Sequence, residues 1–211
     1  MAYEPSDVLT SMDQIRAVVD GIHPTQTDKV IDQIDDVIAA WIMRSPFMAL
    51  STVSGDGRID VSPRGDPPGF VKIIDRHTLA IPDRPGNRRY DSFANILETG
   101  RIGLVFLVPN RNEVVRVNGH AQVVRDAALR AQLAIKDRVP SFAIVVRVEE
   151  AFYHCGKAII RSRLWDTANA ASVDGLPTYA EAIHRQGRSD LALDEITKRF
   201  DHNDKNRLYD E

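Results

Sequence analysis

The sequence predicts an α+β fold that is mainly β: an antiparallel sheet that closes as a barrel, with helices at both ends. Three observations predict it. Strand-length apolar or alternating runs fill the middle of the chain, from Phe47 to Val148. The connections between them are short and rich in Gly, Pro, Asn and Asp, which favours hairpins over crossovers. Helical apolar spacing occurs before Phe47, returns within the strand region only in short stretches, and resumes after it.

Taken in order, Ser11 and Gln14 have capping-box spacing ahead of a short apolar pattern. A second helix is expected after Pro24, capped by Thr25 and Asp28. Val30, Ile31, Ile34, Val37, Ile38, Trp41 and Ile42 form its apolar stripe. Phe47 to Val53 reads as a strand, Ser54-Gly55-Asp56-Gly57 as a hairpin turn, and Arg58 to Arg64 as the return strand. Val71 to Ile74 and Thr78 to Ile81 predict another hairpin around Asp75-Arg76-His77. A helix follows, with Asn87 as N-cap, Tyr90, Phe93, Ala94 and Leu97 as its core face, and Gly100 as its stop.

Ile102 to Val108 is almost continuously apolar, which predicts a strand covered on both faces. In the next strand Val115, Val117, Gly119, Ala121 and Val123 alternate with Arg116, Asn118, His120 and Gln122. The polar set, Arg116 and His120 included, is either a solvated face or a dimer interface. Asp126 to Asp137 is a short helix, and Phe142 to Val148 is the last clear strand. The charged tail after Phe200 is either loose or laid onto a partner.

The 211 residues are 43% hydrophobic and 27% charged, ordinary values for a globular chain. The net charge of −3 gives no electrostatic reason to expect nucleic acid or an anionic membrane as partner. One cysteine, Cys155, excludes a disulfide within the chain. The start shows no basic stretch followed by an apolar run, so a cytoplasmic location is expected. No His-x-x-x-His or Cys-x-x-Cys spacing occurs among the six histidines and the lone cysteine, so no metal site is expected.

Two segments carry chemistry. Pro82-Asp83-Arg84-Pro85-Gly86-Asn87-Arg88-Arg89 delivers the chain from a rigid loop to a helix start, with two arginines expected in the first turn. Free N–H groups and the helix dipole favour an anion there, and a bound phosphate explains cations at that end. A solvated basic turn is the other reading. Asp60-Val61-Ser62-Pro63-Arg64-Gly65 ends a strand, and its proline implies an edge or a break in pairing. That leaves backbone groups and Arg64 free to meet a ligand.

With Val115-Arg116-Val117-Asn118-Gly119, these segments give the stretch from Phe47 to about Arg125 a resemblance to the pyridoxamine 5′-phosphate oxidase-like FMN-binding split barrels. His154-Cys155-Gly156-Lys157-Ala158 and Arg161-Ser162-Arg163-Leu164-Trp165 also resemble the subgroup described as probable FMN-dependent enzymes. The resemblance implies one split-barrel domain over residues 1–211, with N-terminal helices over about 10–44 and a helical extension over about 155–211. It implies a homodimer with FMN sites at the interface. It assigns Arg88 and Arg89 to the FMN phosphate, Pro82 and Asp83 to positions along the flavin, and Ser62 and Arg64 to the flavin and phosphate. The activity it implies is FMN-dependent oxidoreduction of a small-molecule substrate, with no residue assignable as acid or base.

Two positions depart from the oxidase pattern. Val114 stands near the strand position where the oxidase offers a glutamine to the flavin. Trp165 stands where the substrate-binding Arg-x-His has histidine, in a segment that reads helical with Ile159, Ile160 and Leu164 as its core side. Two rival readings stay open. Related barrels bind a deazaflavin or haem, and a non-catalytic flavin-binding or sensing protein would carry the same fold.

Overall fold

The computed structural model describes residues 2–19, 21–187 and 190–210. Three short helices come first: α1 (Met12–Arg16), α2 (Pro24–Asp28) and α3 (Asp36–Ile42). The capping box at Ser11 and Gln14 is present. The single long helix expected after Pro24 is instead two. His23 caps α2, Asp35 caps α3, and between them Ile31 leaves helical geometry to pair with Ala151. The stripe therefore splits. Ile34, Ile38, Trp41 and Ile42 are buried, while Val37 faces out.

Seven strands follow among the described residues: β1 (Phe47–Val53), β2 (Ile59–Gly65), β3 (Lys72–Asp75), β4 (Thr78–Pro82), β5 (Arg101–Leu107), β6 (Val114–Val124) and β7 (Ala143–His154). They form one antiparallel sheet in the order β2-β1-β5-β6-β7-β4-β3. The ladder stays open between β2 and β3, which makes the barrel a split one. Pro63 lies on β2, an edge strand where a missing N–H costs no ladder bond.

Alternation along the strands fixes which face is buried. Met48 and Leu50 of β1, Leu104 and Phe106 of β5, and Val115 and Val117 of β6 point into one core with Leu79, Ile81, Ile144 and Val146. Trp41 of α3 closes it and donates its Nε1–H to the Phe106 carbonyl at 3.2 Å. β5 is not covered on both faces as its composition predicts. Ile102, Leu104 and Phe106 are buried, but Gly103, Val105 and Leu107 are only half-buried among the described residues, so that face is left partly open.

Helix α4 (Asp91–Thr99) lies against the sheet and ends at Gly100, whose φ of 66° a side chain would resist. Its buried residues are Ser92, Phe93, Asn95 and Ile96, and Leu97 is 76% exposed. The expected core face is thus rotated. Polar Ser92 and Asn95 enter because they find partners: the Asn95 amide donates to the Thr52 hydroxyl at 3.0 Å and the Ser92 hydroxyl to Asp60 at 2.7 Å.

Helix α5 (Ala127–Gln132) precedes β7. After β7 come α6 (Lys157–Ser162), a 3₁₀ turn at Thr167–Asn169, α7 (Tyr179–Gln186) and α8 (Leu193–Asn206). Ile160 and Leu164 are exposed, against the expectation that they are core, and no residue of α6 is buried in the single chain. Among the described residues no helix is long and apolar enough to cross a membrane.

Candidate functional site at the split of the sheet

The two segments singled out by sequence end strands that lie far apart in the ladder order. The curl of the sheet brings them together across the split. β2 runs into Asp66 and β4 runs into Arg84, and these two side chains form an ion pair at 2.6 Å. A cleft of about 320 Å³ lies beside this junction, within the roughly 300–1,000 Å³ typical of small-molecule sites. Ser62, Arg64, Pro82, Asp83, Arg88 and Arg89 all line it, with Phe70, Tyr90, Ser92 and Phe93.

The arginines differ in their engagement. Arg64 donates to the Pro63 carbonyl at 2.9 Å and to Ser92 Oγ at 3.3 Å, so it is already positioned rather than loose. Burial pulls its guanidinium below its usual pKa, opposed by Asp83 and Asp60; an anion in the cleft would offset that desolvation. Arg89 is exposed and bonds Asp91 at 2.7 Å, which raises its pKa and lowers that of Asp91. Arg88 forms no hydrogen bond or ion pair with the described residues.

The two arginines do not sit in the first turn of the helix. α4 begins at Asp91, and Tyr90 is the N-cap, in left-handed geometry with φ 55° and no side-chain cap bond. Asn87 accepts from the Arg89 N–H at 3.0 Å, so it closes a turn before the helix instead of capping it. Arg88 also adopts positive φ, 57°. Two non-glycine residues in this conformation, Arg88 and Tyr90 with Arg89 between them, twist the chain so that the loop meets the helix start. Among the described residues the start of α4 has no side-chain cap hydrogen bond.

Three other lining residues were not singled out as site residues by the sequence. Ser92 bridges Asp60 and Arg64, and Phe70 and Phe93 provide apolar wall. A serine at the second position of a helix gives no signal without knowing which strand faces it. Trp165 lies outside this cleft's lining and donates its Nε1–H to the Arg111 carbonyl at 2.7 Å. Arg161 and Ser162 end α6, and Arg163 to Trp165 form a turn after it.

A family model described as pyridoxamine 5′-phosphate oxidase matches residues 34–155, which span the whole sheet and the cleft. The chain belongs to the pyridoxamine 5′-phosphate oxidase family. Solved structures similar to this family member are distant. Group A Streptococcus HupZ is 18% identical, with TM-score 0.47, over 57% of this chain and 93% of that one. A Lactobacillus delbrueckii protein described as a candidate pyridoxamine 5′-phosphate oxidase is 21% identical, with TM-score 0.47, over 58% and 95%. An FMN-binding protein from Syntrophomonas wolfei is 14% identical, with TM-score 0.40, over 55% and 79%. No curated protein matches the chain. The family match ends at Cys155, so α6 to α8 lie beyond it.

Proposed function

We propose that this family member binds FMN in the cleft at the split and is an FMN-dependent oxidoreductase acting on a small molecule. The observation that carries the reading is Arg88: an arginine with no hydrogen bond or ion pair among the described residues, held at positive φ beside a helix start whose N-cap makes no side-chain cap bond. Strain of this kind costs about 1–3 kcal/mol and concentrates at ligand sites. Uncapped amides, the helix dipole and a guanidinium fit a phosphate dianion.

The donor set suits FMN. Arg88 would take the phosphate directly, Arg89 after releasing Asp91, and Arg64 from the β2 side. Pro82, Asp83 and Phe70 would border the ring system. When bound, FMN supplies two-electron chemistry; the chain supplies position, charge and exclusion of water. Ser92 fixes Arg64 by accepting its N–H while donating to Asp60, so the guanidinium enters the cleft already oriented.

A homodimer completes the proposal. The outer face of β1, β2 and β5 carries Phe47, Ile59, Val61, Val105 and Leu107, exposed or half-buried. α6 and the turn after it add the exposed Ile160 and Leu164. A second copy covering this face would bury the apolar surface that the single chain leaves in water. The test is reconstitution. Apoprotein titrated with FMN and with riboflavin should prefer FMN, and a bound flavin reducible by a nicotinamide donor should pass its electrons to an acceptor found by screening. Binding without any turnover would favour a sensing role. No preference for FMN would remove the phosphate site.

A further inference from the structure

We propose that the C-terminal tail is a strap that positions the FMN loop, with Tyr209 as the positioning residue; this rests on the reading of the cleft as the FMN site. Asp66 is the key. It follows Arg64-Gly65 directly, and its side chain is only 1% exposed although it carries a charge. A buried carboxylate needs a donor at each oxygen. Oδ2 receives the Arg84 Nε–H at 2.6 Å, and Oδ1 receives the Tyr209 hydroxyl at 2.8 Å. Arg84 belongs to the loop that carries Arg88, so the carboxylate ties both walls of the cleft to the last residues of the chain.

Further contacts hold the tail in place. The Tyr209 ring lies 6.0 Å from the Arg84 guanidinium and 5.3 Å from the Lys136 ammonium, both cation–π contacts. Asp210 pairs with Arg138 at 2.9 Å. Arg84 also donates to the Leu133 carbonyl at 2.9 Å, joining the loop to the segment after α5. The tail therefore folds back onto its own chain, across 143 residues of sequence, at the junction between the two site segments. Its hydroxyl holds Asp66 so that Asp66 can hold Arg84, and Arg84 sets where Pro85 to Arg89 run. Tyr209 does not line the cleft; it acts through the pair.

Two variants test this in the full chain: Tyr209→Phe, which keeps the ring and removes the hydroxyl, and deletion of residues 208–211. Amide hydrogen exchange on the apoprotein reads the loop without any flavin. Losing a bond to a charged acceptor is worth about tenfold or more in an equilibrium constant. Exchange at the hydrogen-bonded amides of Asp83 and Arg89 should therefore quicken about tenfold in Tyr209→Phe, and more in the deletion, with β5 and β6 unchanged. FMN affinity should fall about threefold to tenfold, as part of that bond energy, and riboflavin affinity less. Unchanged loop exchange in both variants overturns the strap, as does acceleration spread evenly through the sheet. Faster loop exchange with unaltered FMN affinity overturns the positioning role. If the unaltered protein ignores FMN while its loop still responds to Tyr209, the strap stands and the flavin reading falls.

Discussion

Replacing Arg88 by alanine should weaken FMN binding without unfolding the protein. The side chain is exposed and forms no hydrogen bond or ion pair among the described residues, so its removal deletes no such bond there. A charge-assisted bond to phosphate is worth about 1.5–3 kcal/mol, which is about tenfold to a hundredfold in Kd. Arg89 must first give up Asp91, so Arg89→Ala should cost less than Arg88→Ala. The backbone supplies an internal control. At φ 57°, glycine relieves strain that both arginine and alanine carry. Arg88→Gly should lose FMN as alanine does, yet raise apoprotein stability by up to about 1 kcal/mol. The assay is fluorescence titration with FMN and riboflavin, alongside thermal unfolding of the apoprotein. Equal loss of both ligands, or a destabilised apoprotein, would refute the phosphate role and leave Arg88 a basic surface residue.

Asp91→Asn should tighten FMN, because it releases Arg89 and removes a negative charge from the helix start; weaker binding in the same titration would argue against an anion there. Gly119→Ala should destabilise by about 3 kcal/mol in urea unfolding, since a Cβ at Gly119 would lie 2.0 Å from the Arg147 carbonyl oxygen beside the bulge between β6 and β7; a stable variant would mean the bulge relaxes. Pyridoxamine 5′-phosphate should be oxidised poorly or not at all, because Trp165 offers no acceptor or charge and its N–H is spent on Arg111, and steady turnover of about 1 per second would contradict this. Light scattering should show a dimer that Val61→Asp splits; a monomer that retains FMN would break the interface proposal.

The strands were legible because their period survives burial. β1 and β6 alternate cleanly, and the Asp-Gly turn fixes the register of the first hairpin. The helices were less so. Val30 to Ile42 looks like one stripe, but an Ile31 bridge to Ala151 outweighs continuing the helix, and that pairing joins residues distant in sequence. In α4 the apolar count pointed to Leu97, whereas Ser92 and Asn95 are buried through hydrogen bonds to β1 and β2 that composition cannot show. β5 misled in the other direction: its second apolar face is only half-buried among the described residues.

At the cleft, the six residues singled out from the sequence come together, but in a posture the sequence did not show. Arg88 and Arg89 precede the helix instead of opening it, since two left-handed residues cannot be read from arginine and tyrosine. The junction of Asp66, Arg84 and Tyr209 left no sequence signal, because its members share no spacing rule and meet only through the curl of the sheet.

The most direct test of the account is to identify what the protein carries when purified from cells. Denaturing it should release FMN in an amount equal to the chain, recognised by its flavin absorption and by its phosphate on chromatography against riboflavin. Release of a deazaflavin or haem, or failure of the apoprotein to take up added FMN, would contradict the assignment of the cleft at the split to the flavin phosphate.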